Sequence, residues 1–172
     1  VVIGDIDRAQ AEVTADLVRE AGRKAFVVEL DTSKAADAER LARETVEAFG
    51  TIDGIVCGAI KLKPSKLEDL SEEDWDMVID IGLKGYFLCA QAAGRVMLEK
   101  GSGSIVFLSS VGGVQAYNGA GAYSIAKSGN VMLGNLFGVE WGGRGVRANT
   151  VLPGQVHTPM TQAMFADPDV AA

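Results

Sequence analysis

The sequence predicts an α/β domain built on a doubly wound parallel sheet, with helices on both faces as a three-layer α/β/α sandwich. Short β-branched and aliphatic runs alternate along the chain with longer segments whose apolar residues recur at helical spacing. The strand candidates are apolar almost throughout rather than alternating, the pattern of strands covered on both faces. The segments between them are long enough for the crossover helices that parallel pairing requires.

Val1 to Ile3 is the first strand candidate, closing on Gly4–Asp5. Arg8 to Ala21 follows as a helix, with Val13, Leu17, Val18 and Ala21 at helical spacing and Gly22 as its stop. Ala25 to Leu30 is a second strand, ending at Asp31. Ala38, Leu41, Ala42, Val46 and Phe49 form the stripe of a second helix, ended by Gly50, and Ile52 to Val56 is a third strand. Ser71 with Asp74 makes a capping-box pattern ahead of a helix that carries Trp75, Val78, Ile79 and Leu83 and runs on to about Leu98. Ile105 to Leu108 is a short strand, Tyr123 to Glu140 a helix, and Val146 to Leu152 the last strand. Beyond Pro153 the periodicity stops, as in a mobile loop.

The 172 residues suit one domain, 1–172, and no repeat, low-complexity tract or linker divides them. Lys plus Arg is 16 against 23 for Asp plus Glu, a net charge of −7, which opposes a nucleic-acid partner. With 48% hydrophobic and 23% charged residues, general disorder is excluded. No apolar run approaches a membrane span and no cationic-then-apolar leader opens the chain, so neither a membrane partner nor export is expected and the location reads as cytoplasmic. Cys57 and Cys89 have no paired spacing and read as buried thiols of a reducing compartment. One histidine, His157, and two scattered cysteines do not make a zinc site, so no metal is expected.

The chemistry-bearing constellation lies late in the chain. Tyr123 and Lys127, in YSIAK, are four apart on a helix and share a face, which brings an ammonium near a phenol. A nearby positive charge favours phenolate and makes the phenol a usable proton-transfer group near neutral pH. Ser110 follows the strand Ile105–Leu108, thirteen positions before Tyr123, where its hydroxyl can hold a substrate oxygen. Ligands of doubly wound sheets bind at the carboxyl ends of the strands, where these residues fall.

YSIAK, with the preceding FLSS, the later NTVLPGQVHTPM and the acidic strand end GDID, resembles the short-chain dehydrogenase/reductase family over essentially the whole chain. The resemblance implies a Rossmann-type fold, NAD as cofactor and hydride exchange between NAD(H) and a secondary alcohol or ketone of a small substrate. It makes Tyr123 the catalytic acid/base, Lys127 the group that holds the nicotinamide ribose and depresses the tyrosine pKa, and Ser110 the group that orients the substrate oxygen. Asp5, with Ile6 beside it, falls where the family binds the adenosine ribose hydroxyls; a carboxylate there repels a 2′-phosphate and favours NAD over NADP. Asp5 is also compatible with capping the helix that follows. Asp31 and Thr32 match the family's adenine-edge contact, Cys57, Gly58 and Ala59 a backbone approach to the cofactor, and Pro153, Gly154, Val156 and Thr158 the nicotinamide end. Gln115, Tyr117 and Gln155 flank the site as candidate substrate contacts.

Three departures accompany the resemblance. No glycine-rich phosphate loop occurs, so the fold is expected to lack the first strand that carries it, and the last strand as well. VCGAI stands where the family has N-N-A-G. Gly82 stands where the family has an asparagine of a water-linked proton relay; its carbonyl remains available, a local bend is expected, and restoring asparagine is expected to raise turnover. Two rivals stay open: an epimerase or dehydratase using the same Tyr/Lys pair, and a non-catalytic cofactor-binding relic. The resemblance also implies a homotetramer or homodimer built on the helices containing Gly82–Leu98 and Tyr123–Glu140, with Ala90, Ala92, Ala93 and Gly94 allowing close packing.

Overall fold

The computed structural model describes residues 1–158 together with 161 and 162. Strands and helices alternate: β1 (Val2–Asp5), α1 (Arg8–Glu20), β2 (Phe26–Glu29), α2 (Ala35–Phe49), β3 (Gly54–Cys57), α3 (Glu72–Ile79), α4 (Gly85–Lys100), β4 (Gly103–Leu108), α5 (Ala122–Trp141) and β5 (Val146–Val151). Every strand ladder is parallel. Cys57 pairs with Phe107 across β3 and β4, and Leu108 with Val151 across β4 and β5.

Among the described residues the strands fall into two groups. β1 and β2 make one piece and β3, β4 and β5 another, in the order β3-β4-β5. A cavity of about 880 Å³ lies between them, lined on one side by Val1, Val2 and Gly4 and on the other by β3. Among the described residues no strand bridges β1 to β3. Helix packing joins the two pieces: Ala38 and Ala42 of α2 share one buried core with Ala90 and Ala93 of α4.

That core also holds Tyr86, Met97, Ile105 and Phe107, each at most 1% exposed. Burying an apolar side chain of this size contributes about 1.5–3 kcal/mol. Phe137 of α5 stands 5.6 Å from Phe107 and meets Trp141 edge-on at 4.5 Å, which ties α5 to the sheet. Gly94 lets α4 approach: a Cβ there would come within 2.1 Å of the Trp141 ring. Ala90, Ala92, Ala93 and Gly94 are therefore spent inside the chain's own core rather than on a subunit contact, which corrects the sequence reading. The apolar side chains left outward on α4 and α5 are larger ones: Phe87, Ile125, Met132, Leu136 and Val139.

The long helix expected after Ser71 is continuous but not uniform. Ser71 caps α3 by accepting from the Asp74 N–H at 3.1 Å. Between α3 and α4 the chain widens into a π turn, Asp80–Lys84, where the Gly85 N–H donates five residues back to the Asp80 carbonyl. The expected distortion at Gly82 takes this form, and π turns occur often at functional sites.

Candidate active site

β4 delivers the site. After Leu108 the chain stays extended at Ser110 (φ −165°, ψ 158°) and enters a 3-10 turn, Val111–Gly113. The Ser110 hydroxyl accepts from the Gly112 N–H at 3.1 Å. Two bonds fasten this turn to α5. Ser109, buried, donates to the Lys127 carbonyl at 2.7 Å, and Ser128 donates to the Gly113 carbonyl. The approach is close enough that a Cβ at Gly113 would lie 2.8 Å from the Lys127 carbonyl carbon, so only glycine fits. Tyr123, half-buried, sits in the first turn of α5. That helix starts at Gly121, whose φ of +54° is a conformation L side chains rarely adopt.

Lys127 is 3% exposed. Its ammonium lies 5.7 Å from the centroid of the Tyr123 ring, one helical turn back. It donates to the Leu108 carbonyl at 2.6 Å and to the Tyr86 hydroxyl at 3.2 Å. Burial disfavours the charged form and brings the ammonium down to about 8. The Tyr86 hydroxyl in turn donates to the Leu108 carbonyl at 3.1 Å. Burial first, then the neighbouring Cys57 and Tyr123, push the Tyr86 phenol above the usual range. The sequence reading missed Tyr86, because an aromatic residue inside an apolar helix reads as core.

A second polar group escaped the sequence reading. Asn130, three residues after Lys127, is fully buried, and its side-chain amide donates to the Gly82 carbonyl at 2.9 Å. Its own Oδ1 is buried without a partner. The Gly82 carbonyl, which the resemblance leaves available, thus accepts from an amide on α5. The space beside Gly82 is filled as well: a Cβ there would stand 2.2 Å from Ile60 Cδ1. Both facts run against the expectation that asparagine at Gly82 raises turnover.

The cofactor candidates divide by location. Thr32, Cys57, Gly58 and Ala59 line the cavity. Cys57 turns inward, its thiol donating to the Tyr86 carbonyl at 3.8 Å, and burial raises it above the ordinary thiol range. Cys89, also buried, is raised to about 11. Gly58 and Ala59 are exposed. Asp5 is exposed at the end of β1 and accepts from the Asp7 N–H at 2.9 Å. Asp7, not Asp5, caps α1, accepting from Ala9 and Gln10. Ile6 is exposed, and Arg8 lies along α1 toward Glu12, 3.9 Å away.

Asp31 is occupied locally. Its carboxylate accepts from the Ser33 hydroxyl at 2.6 Å and pairs with Lys34 at 3.1 Å, which hold it below the usual carboxylate range. Thr32 packs against Gly85 so closely that a Cβ on that glycine would lie 2.8 Å from the threonine side chain.

After β5 the chain returns to the serine turn: the Val111 N–H donates to the Pro153 carbonyl at 3.0 Å. Gly154, Gln155 and Val156 are exposed, and Thr158 makes a local turn with Thr161, their hydroxyls 3.0 Å apart. Pro159 and Met160 of the NTVLPGQVHTPM motif lie outside the described residues. Gln115 and Tyr117 are exposed beside the 3-10 turn, the Tyr117 ring packing against Gly112.

Comparison with known proteins follows the same lines. A family model described as enoyl-(acyl carrier protein) reductase matches residues 1–172. The chain is 37% identical over 163 residues to the (2S)-[(R)-hydroxy(phenyl)methyl]succinyl-CoA dehydrogenase subunit BbsD of Thauera aromatica, covering 93% of this chain and 64% of that protein. It thus spans less than two thirds of that relative's length. A Burkholderia xenovorans protein assigned to the short-chain dehydrogenase/reductases superposes with a TM-score of 0.89 at 32% identity, over 94% of this chain and 64% of the other. A gluconate 5-dehydrogenase from Burkholderia cenocepacia, in complex with NADP and tartrate, superposes with a TM-score of 0.91 at 27% identity, over 98% of this chain and 66% of the other.

Proposed function

The chain belongs to the short-chain dehydrogenase/reductase family, and from that membership we propose that it is an oxidoreductase interconverting a secondary alcohol and a ketone of a small-molecule substrate, with NAD(H) as its cofactor. The observation that carries the reading is the buried Lys127 ammonium 5.7 Å from the Tyr123 ring, on a helix fastened to the serine turn at the end of β4.

The residues present suit a nicotinamide dinucleotide. Asp5 offers an exposed carboxylate for ribose hydroxyls at the end of β1, and Gly58 and Ala59 offer backbone unobstructed by long side chains after β3. Arg8, drawn along α1 toward Glu12, does not offset the charge of Asp5 against a 2′-phosphate, which favours NAD. The B. cenocepacia relative was solved with NADP, so the preference rests on Asp5 in this chain. Asp31 and Thr32 border the adenine end; Pro153, Gly154, Val156 and Thr158 border the nicotinamide end. When bound, the nicotinamide accepts or supplies the hydride.

In the alcohol-oxidising direction the Tyr123 phenolate takes the hydroxyl proton; in the reducing direction the phenol returns it to the ketone oxygen. Ser110 donates a hydrogen bond to that oxygen and fixes its place beside Tyr123. Lys127 holds its ammonium 5.7 Å from the Tyr123 ring, on the same side of the site. Gln115, Tyr117 and Gln155, all exposed around this turn, border the substrate side.

The exposed apolar face of Phe87, Met132 and Leu136 fits self-association as a homodimer or homotetramer. The two buried free thiols suit the cytoplasm. Among the described residues no helix is long and apolar enough to cross a membrane.

The test is turnover of the full-length protein with NAD over a panel of secondary alcohols, and with NADH over the corresponding ketones, followed by the absorbance of reduced nicotinamide. Tyr123→Phe is expected to lower turnover by about 10²–10⁴-fold while nucleotide affinity stays within about twofold, since the phenol acts on the substrate proton rather than as the nucleotide's anchor. Substrate conversion without net change in the nicotinamide would instead establish an epimerase or dehydratase. Nucleotide binding with no conversion of any panel member would establish a non-catalytic cofactor binder.

A further inference from the structure

Lys127 has three N–H donors, and two are committed within the fold. One goes to the Leu108 carbonyl at 2.6 Å and one to the Tyr86 hydroxyl at 3.2 Å. Because the Tyr86 O–H itself donates to Leu108, its oxygen lone pairs are free to accept from the lysine. The Tyr86 ring is fixed independently of this bond. It stacks on Phe107 with centroids 6.3 Å apart and planes 16° from parallel, and it is 1% exposed. The ammonium also lies 5.2 Å from the centroid of that ring. Two phenols therefore flank one ammonium: Tyr123 on the lysine's own helix and Tyr86 across from it on α4.

We propose that Tyr86 is a positioning residue for Lys127: its hydroxyl anchors the ammonium on the end of β4 and orients the remaining N–H donor toward the Tyr123 side of the site. The proposal rests on the oxidoreductase reading for its catalytic meaning, but the anchoring itself does not. Tyr86 is not a second acid/base. Its phenol is held protonated by burial, so it acts as a neutral acceptor while Tyr123 moves the proton. The titratable groups facing it are Cys57 from β3 and Tyr123 and Lys127 from α5.

Tyr86→Phe keeps the ring stacked on Phe107 and removes only the oxygen. Losing an acceptor of a charge-assisted hydrogen bond disfavours the ammonium, so the Lys127 titration is expected to fall by about one pKa unit. The shift is read directly by NMR titration of ¹³Cε-labelled lysine in the full-length protein, assigned with Lys127→Met. The basic limb of kcat/KM for alcohol oxidation should move down with it. An unchanged Lys127 titration and an unchanged limb would overturn the proposal, whatever happens to the absolute rate. If the wild type turns over no substrate, the oxidoreductase reading fails while the lysine titration still decides the anchoring. Should Tyr86→Phe not fold, the Tyr86 ¹³Cζ resonance of the wild type decides: it must follow Lys127 deprotonation near pH 8, and a flat response would overturn the proposal.

Discussion

Replacing Lys127 by methionine should change how stability depends on pH, in a way set by where the lysine sits. In the unfolded chain the ammonium keeps its ordinary pKa of 10.5; in the folded chain burial lowers it to about 8. Between those values the unfolded state binds more protons, so the stability attributable to this lysine rises with pH there. At pH 7 both states are protonated and folding bears the full penalty, about 3 kcal/mol at 1.36 kcal/mol per pKa unit. By pH 9.5 the folded lysine is neutral and about 1.4 kcal/mol remains. The wild type should therefore gain roughly 2 kcal/mol on Lys127→Met between pH 7 and 9.5. Taking the difference between the two proteins cancels thiols and carboxylates common to both. Urea unfolding of the full-length protein and of the variant at half-unit pH steps gives the difference curve. A curve flat to within about 0.5 kcal/mol, the scatter expected of unrelated surface effects, would mean that the ammonium is not desolvated and that its placement at the end of β4 is wrong. The variant should also lose turnover, which fixes the same residue in the chemistry.

Other perturbations reach different parts of the site. Asp5→Ser should reduce the kcat/KM preference for NAD over NADP by at least about tenfold, equivalent to 1.4 kcal/mol of lost discrimination; an unchanged ratio would place ribose selection elsewhere. Gly82→Asn should destabilise the protein by about 1–3 kcal/mol through overpacking and leave turnover at or below the wild-type value, because Ile60 occupies the space and Asn130 already holds the Gly82 carbonyl. Adding Ile60→Ala should recover much of that stability in thermal unfolding; a more active single Gly82→Asn variant would show that the relay was incomplete as it stands.

The sequence revealed the alternation of elements and the proximity of Tyr123 and Lys127, because both rest on spacing. Strand ends and the i, i+4 relation are local, and local geometry follows from local sequence. Tyr86 and Asn130 were invisible for the converse reason. Apolar periodicity says that a side chain is inside, but the partner of its polar atom is decided by a contact 41 residues away for Tyr86 and 48 for Asn130. The stripe of Ala90, Ala92, Ala93 and Gly94 misled on the same ground: small residues announce a close neighbour without saying which, and here the neighbour of Gly94 is Trp141 of the same chain. Whether Asp5 caps α1 was decided only in space, where the N–H directions assign that task to Asp7.

α2 and α4 form a helical clamp between the β1-β2 pair and the β3-β4-β5 sheet. Ala42 on α2 packs with Ala90 and Ala93 on α4 in a core that also takes in Leu41 and Val46, and the Arg95–Glu39 ion pair at 2.7 Å spans the same two helices. Thr32 touches Gly85 across this clamp, one residue from Tyr86. A bulkier residue in the clamp would push α2 and α4 apart and shift the footing of the Lys127 anchor, so alanines far from the proton-transfer groups bear on their alignment.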